Sequence, residues 1–190
     1  MVEKFKFGEP VETKSILEKI NTQPESTLPF LSASFCESGT NLTYIMGDSD
    51  VVYGLGEANR GINKRGWRYE SYCNDDAGHT ENKRALYGAH NFVAVDGSEK
   101  FAFYLDYPGY VSFDIGSNDS EKIDVYLEDK SFYLYIITGE SMLEIMHEFR
   151  VLIGQSYIPP YWALGYQQSR WGYRNADDVK EVASSFRKNS

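Results

Sequence analysis

The chain has 190 residues, 42% of them hydrophobic and 15% aromatic, enough for one sizeable domain or one domain and part of another, and too apolar for a disordered chain. Its net charge of −9 argues against nucleic acid or an anionic membrane surface as a partner, because phosphates would be repelled. No run reaches the length of a membrane span and MVEKFKFGEP carries no apolar h-region, so a cytoplasmic location is the default expectation.

From residue 30 to 138 the sequence reads as successive strands. Segments 30–35 and 42–46 form a first pair around the turn Glu37-Ser38-Gly39-Thr40, and 51–55 follows. Segments 91–95 and 101–106 flank Asp96-Gly97, a strong hairpin signal. Further strands are expected over 110–115, 122–128 and 132–137. Phe101, Phe103 and Leu105 alternate with Ala102 and Tyr104, the pattern of a strand with one well-buried face. Short strands separated by Gly, Asp and Asn turns predict a mainly β protein with a β-sandwich over 1–140.

Residues 57–88 interrupt this pattern. The segment has little periodicity and carries many Asn, Asp, Lys and Arg residues around Trp67, Tyr69 and Tyr72. Long irregular loops inside compact domains are usually functional or disordered, and these aromatics favour a folded loop that reaches a site.

At residue 141 the period changes. Ser141-Met142-Leu143-Glu144 is a capping box, Met142, Ile145, Phe149 and Leu152 follow at helical spacing, and Gly154 supplies the stop. A connector helix is therefore expected within 141–157. Pro159-Pro160 blocks further helix. Residues 162–168 then read as a strand, and 176–188 as an amphipathic helix capped by Asn175, with Val179, Val182, Ala183 and Phe186 inward. A strand, a polar and aromatic cluster and a helix is how a βα-barrel begins, so 158–190 is expected to be the start of a TIM-type (β/α)8 barrel that stops one unit in.

The residue pattern excludes several chemistries. Cys36 and Cys73 have no zinc-ligand spacing and do not by themselves imply a disulfide. His79, His90 and His147 are scattered, and structural or surface roles suit each. Gly54-Leu55-Gly56-Glu57 lacks the third glycine and following helix of a dinucleotide fingerprint and reads as a tight strand exit. No metal and no cofactor is expected. Two candidates remain. Asp75-Asp76 offers adjacent carboxylates to sugar hydroxyls, or forms an Asx-turn that shapes the loop. Ser169-Arg170-Trp171-Gly172-Tyr173 lies where a barrel strand would end, with Trp171 the better contact and Arg170 better suited to holding a scaffold carboxylate.

Together these pieces resemble glycoside hydrolase family 31, the α-glucosidases and α-xylosidases. The matching segments are VVYGLGE (51–57), RGINKRG (60–66), YCNDDAGHTENK (72–83), LYGAHNF (86–92), FAFYLDYP (101–108) and IPPYWALGYQQSRWGY (158–173), in the family's order. LYGAHNF and INKRG look closest to bacterial, intracellular-type α-glucosidases.

The resemblance implies a galactose mutarotase-like sandwich followed by the barrel, and a retaining mechanism with two aspartates, one nucleophile and one acid/base. It places both on later barrel strands, so no catalytic residue is assigned here and the 190-residue chain is expected to be inactive alone. It implies that Asp75 binds sugar hydroxyls near the scissile bond and that Trp171 walls the pocket, its family position varying between Trp and Tyr. The expected partner is an α-linked oligosaccharide, of glucose or xylose, with self-association through exposed barrel-facing surface. Two other readings stay open: a stand-alone carbohydrate-binding sandwich, and a mutarotase-like epimerase drawing on His79, His90 and Glu57.

Overall fold

The structure, a computed structural model, describes residues 1–169 and 171–189. The chain divides into two units, Met1–Gln155 and Ser156–Ser190. In chain order the first unit contains β1 (Val2–Phe7), β2 (Thr22–Gln23), β3 (Ser32–Cys36), β4 (Gly39–Ile45), β5 (Val51–Gly54) and β6 (Trp67–Ser71). After these come β7 (Phe92–Asp96), β8 (Lys100–Asp106), β9 (Val111–Ile115), β10 (Lys122–Leu127), β11 (Phe132–Thr138) and the helix α1 (Met142–Ile153).

The strands form a sandwich. One sheet has the order β2-β1-β11-β8-β7-β5 and the other β3-β4-β10-β9-β6. Every pairing is antiparallel except the short β1–β2 contact. Phe5, Phe101, Phe103, Leu105, Leu134 and Ile136 of the larger sheet pack against Leu42, Phe113, Ile115, Ile123 and Val125 of the smaller one. Removing such side chains from water stabilises the fold by roughly 1.5–3 kcal/mol each.

The two sheets carry different patterns because their outer faces differ. In β9 and β10 buried residues alternate strictly with partly exposed ones, as on a sheet with one face toward solvent. β7, β8 and β11 are buried on both faces. Their outer face is covered by α1, where Ile145, Phe149 and Leu152 meet Phe92, Ala94, Ala102, Tyr135 and Ile137. Ala94 and Ala102 are small enough to let the helix approach. Phe92 and Phe149 stack with ring centres 4.0 Å apart.

The helix begins as the capping box predicts, with Glu144 N–H donating to Ser141 Oγ at 3.2 Å. The return bond is displaced by one residue, since Glu144 Oε2 accepts from Glu140 N–H at 2.9 Å. Gly154, at φ 91°, ends it.

Several expectations need correction. β1 was not anticipated: its only fully apolar alternation is Phe5 and Phe7, and its partner β11 lies at the other end of the unit. β6 lies inside the segment read as irregular, with Tyr69 its one buried residue, so an edge strand left almost no periodic signal. The first hairpin is tighter than expected, with Cys36 paired to Gly39 across Glu37-Ser38. The face of β8 carrying Ala102 is not solvent-exposed, because α1 covers it.

In the second unit residues 162–168 do not form a strand. Tyr161–Leu164 is a 3-10 turn, and a strand needs a ladder partner that the unit's described residues do not offer. Helix α2 (Ala176–Lys188) forms as predicted, with Asn175 Oδ1 accepting from Asp177 and Asp178 N–H at 2.9 and 3.0 Å. Its expected inward face is not buried: Val179 and Phe186 are each about half exposed, and Tyr166 meets Phe186 at 5.3 Å. Among the described residues no helix is long and apolar enough to cross a membrane.

Candidate functional site

The 57–88 loop leaves β5 through Gly54-Leu55-Gly56, with φ values of 114°, 64° and 66°. A Cβ on Gly54 would lie 2.1 Å from Phe92 O, so only glycine fits. Leu55 is held in the left-handed region by core burial of its side chain and by donation from its N–H to Phe92 O at 2.9 Å. The trio turns the chain sharply out of the sheet, as expected for a strand exit.

The loop is folded. At its foot Glu57 N–H donates to Gly88 O, and Gly88 N–H donates to Glu57 Oε2, both at 2.9 Å. Further out Glu70 N–H donates to Arg84 O at 2.9 Å and Asn74 N–H to Leu86 O at 3.0 Å. Arg60 braces one side, its guanidinium 4.2 Å from the Trp67 ring centre, donating to Glu81 O at 2.6 Å and Arg68 O at 2.7 Å. Beneath it Lys64 is nearly buried and donates to Gly61 O at 3.2 Å. Burial, and then the adjacent Arg60 charge, pull its ammonium below the ordinary lysine pKa.

The adjacent carboxylates divide into two roles. Asp76 Oδ1 accepts from Gly78 N–H at 2.8 Å, an Asx-turn, while its Oδ2 pairs with Lys83 Nζ. Asp75 is exposed, and among the described residues its carboxylate has no hydrogen-bond or ion-pair partner. Asp76 therefore shapes the loop, and Asp75 keeps its acceptor oxygens open to a ligand.

The three histidines do not converge. His79 meets Tyr87 edge to face at 5.4 Å, His147 is exposed on α1, and Glu57 is occupied at the loop's foot. His90 belongs to a cluster that the sequence reading did not single out. There, at the inner end of the loop, Tyr72, Asn91, Tyr104, Tyr107 and Tyr110 join it around a cavity of about 420 Å³. The available signal was HNF at the loop's return with tyrosines at 104, 107 and 110, but only strand pairing brings them together. Among the described residues no group of three His, Cys, Asp or Glu side chains is placed to hold a metal ion.

In the second unit Trp171 is fully exposed, and Arg170 lies outside the described residues. Trp171, Arg174, Val182 and Phe186 line an open concavity of about 700 Å³. Asp177 and Asp178 occupy the first turn of α2, where negative charge is favourable.

Known proteins share both units. The profile of the glycosyl hydrolase 31 N-terminal galactose mutarotase-like domain matches residues 18–114, and that of the glycosyl hydrolases family 31 TIM-barrel domain matches 156–190. An α-glucosidase of Saccharolobus solfataricus is 27% identical over 138 residues, covering 72% of this chain and 20% of the relative. α-Xylosidase XylQ of Lactiplantibacillus pentosus is 29% identical over 120 residues, covering 63% of this chain and 15% of the relative. The chain thus spans about a fifth or less of these relatives' length. A GH31 dextranase of Flavobacterium johnsoniae, solved with isomaltotriose, superposes with a TM-score of 0.74 at 24% identity, over 82% of this chain and 19% of that one. A cycloalternan-forming enzyme of Listeria monocytogenes, solved with a pentasaccharide substrate, gives 0.67 at 21%, over 79% and 14%. At such identities the two structures speak for the fold.

Proposed function

The chain belongs to glycosyl hydrolase family 31, and on that footing we propose that it supplies substrate-contacting residues to a retaining α-glucosidase-type enzyme. The enzyme removes terminal α-linked glucose, or xylose, from oligosaccharides. What carries the reading is the succession in one chain of the family's sandwich domain over 18–114 and its barrel domain over 156–190. Relatives named α-glucosidase and α-xylosidase share this stretch.

Retention of configuration needs two carboxyl groups about 5 Å apart, one attacking the anomeric carbon and the other protonating the leaving oxygen and then activating water. Neither role is given to Asp75 or Asp76. Asp75 accepts hydrogen bonds from sugar hydroxyls, a role supported by its open carboxylate beside an Asp76 that is already engaged. Trp171 packs its indole on the C–H face of a sugar, supported by its full exposure, since such a ring gains most from being covered.

The test is hydrolysis of maltose by the enzyme that contains residues 1–190, followed by proton NMR from the first moments. α-Glucose released first is expected. β-Glucose released first would overturn retention. Sugar binding without hydrolysis would favour a binding module, and accelerated anomer exchange alone an epimerase. A cytoplasmic location belongs to the same proposal, supported by two free, exposed cysteines, and fractionation checks it. Self-association of the 190-residue chain is supported by the exposed Tyr161, Trp162, Tyr166 and Trp171; light scattering showing a clean monomer would oppose it.

A further inference from the structure

We propose that the cavity at the inner end of the 57–88 loop binds one neutral hexose ring. It lies wholly within the first unit, between the middle of the loop at 71–73, residues 89–91 just after the loop, and the end of β8 with the β8–β9 turn, and holds about 420 Å³. That is the small end of ligand pockets, roughly 300–1,000 Å³, and suits a single ring better than an oligosaccharide.

The polar groups there are held in place by the fold. Asn91 Nδ2 donates to Leu105 O at 3.3 Å and Tyr107 O at 3.2 Å, which sets the orientation of the amide. Its Oδ1 is consequently buried, and among the described residues nothing donates to it. That acceptor has almost no surface facing the cavity, so a ligand there meets the His90 ring and the tyrosines instead. The His90 ring packs against Tyr104 at 6.0 Å and Phe149 at 5.8 Å, with no hydrogen-bond partner among the described residues. Burial holds its pKa below the ordinary histidine value, so near pH 7 the neutral ring offers one donor and one acceptor.

The rest of the lining sets the ligand class. Tyr72, Tyr104, Tyr107 and Tyr110 contribute aromatic surface, and among the described residues no lining side chain carries a carboxylate, an ammonium or a guanidinium. A charged ligand would enter without a counter-charge, whereas a pyranose presents hydroxyls at its rim and C–H groups on its faces. This inference stands on the cavity alone and does not require the hydrolase reading.

Cys73 in the lining is a built-in reporter, and the free, exposed Cys36 is its control. The full 190-residue chain is alkylated with iodoacetamide with and without D-glucose, and each cysteine is followed by mass spectrometry. With few polar contacts the expected Kd is on the order of 1 mM. Glucose at about ten times that value should slow Cys73 alkylation about tenfold and leave Cys36 unchanged. Tyr72→Ala, at a 59% exposed residue that should not disturb folding, and His90→Ala should each remove the protection. Asp75→Ala should retain it. Glucose-independent alkylation of Cys73, or protection that survives both pocket variants, overturns the proposal. Loss of protection in Asp75→Ala also overturns it, by assigning the sugar to the outer loop, and leaves the hydrolase reading standing.

Discussion

Arg68 Nε donates to Asp114 Oδ2 at 2.7 Å, and the two residues are also direct cross-strand partners in the β6–β9 register. The pair fastens the short strand inside the long loop to the smaller sheet. Burial tends to raise the Asp114 pKa, but Arg68 and the N–H groups of Asn118 and Ser117 outweigh it and hold the carboxyl below its ordinary 3.8. A depressed folded-state pKa means that this stability is complete above the unfolded value and is lost as pH falls through the folded one. Chemical denaturation from about pH 6 to about pH 2 should show that loss below about pH 4, and Asp114→Asn should flatten it. Arg68 is 41% exposed and screened by water, so the loss is on the order of 1 kcal/mol. A variant with the parent's acid profile would show that the pair contributes nothing measurable.

Gly54→Ala should be severely destabilising. The added Cβ would meet Phe92 O at 2.1 Å in a left-handed backbone, and the obstacle is main chain rather than a flexible side chain. A loss of about 3 kcal/mol or more is expected from strain and strand displacement together, read as a drop in the urea midpoint.

Phe149→Ala removes the ring stacked on Phe92 beneath α1. The expected cost is about 3–5 kcal/mol. Hydrogen exchange should show α1 opening before the sandwich, because its hold on the sheet rests on Ile145, Phe149 and Leu152.

Asp75→Ala and Asp76→Ala should separate binding from architecture. The first should leave stability within about 0.5 kcal/mol, since the carboxylate is exposed and has no hydrogen-bond or ion-pair partner among the described residues. In the whole enzyme it should lower kcat/KM about 10- to 100-fold, the loss of a charge-assisted hydrogen bond. The second removes the Asx-turn and the Lys83 pair, and should show first as faster proteolysis within 72–88. If Asp76→Ala alone lowers sugar turnover while the loop stays protease-resistant, the two roles are reversed.

Trp171→Ala should weaken substrate binding, whereas Trp171→Tyr should keep the binding and alter the ratio of rates on different α-linkages. Initial rates on maltose and isomaltose measure that ratio. Equal rates in all three proteins would remove Trp171 from the pocket.

Most strands of the sandwich were legible because β8, β10 and β11 are dense in β-branched and aromatic residues and are separated by turn residues. The capped helix was legible because Ser141 and Glu144 make local bonds that depend on nothing distant. β1 and β6 escaped because each is specified by its partner: Phe5 and Phe7 gain meaning only opposite Leu134 and Phe132, and Tyr69 only opposite Phe113. The segment 162–168 erred in the other direction, since apolar residues there resemble a strand whose ladder is absent from its unit's described residues. At the site Asp75 and Asp76 are indistinguishable as letters, and what separates them is the position of Lys83 and Gly78 in space. The cavity around His90 was invisible because its walls come from three stretches joined only by pairing.

The β1–β11 pairing also sets a timetable for synthesis. Phe5 and Phe7 leave the ribosome well before Leu134 and Phe132, with most of the unit translated in between, a delay on the order of ten seconds. Throughout that interval the nascent strand has no mate and offers two phenylalanines to any neighbouring chain. Lys4 and Lys6 alternate with those rings, and their like charges discourage pairing with another copy. Once β11 arrives, Lys4 settles 4.1 Å from the Tyr133 ring, and a guard of the growing chain becomes part of the finished sheet.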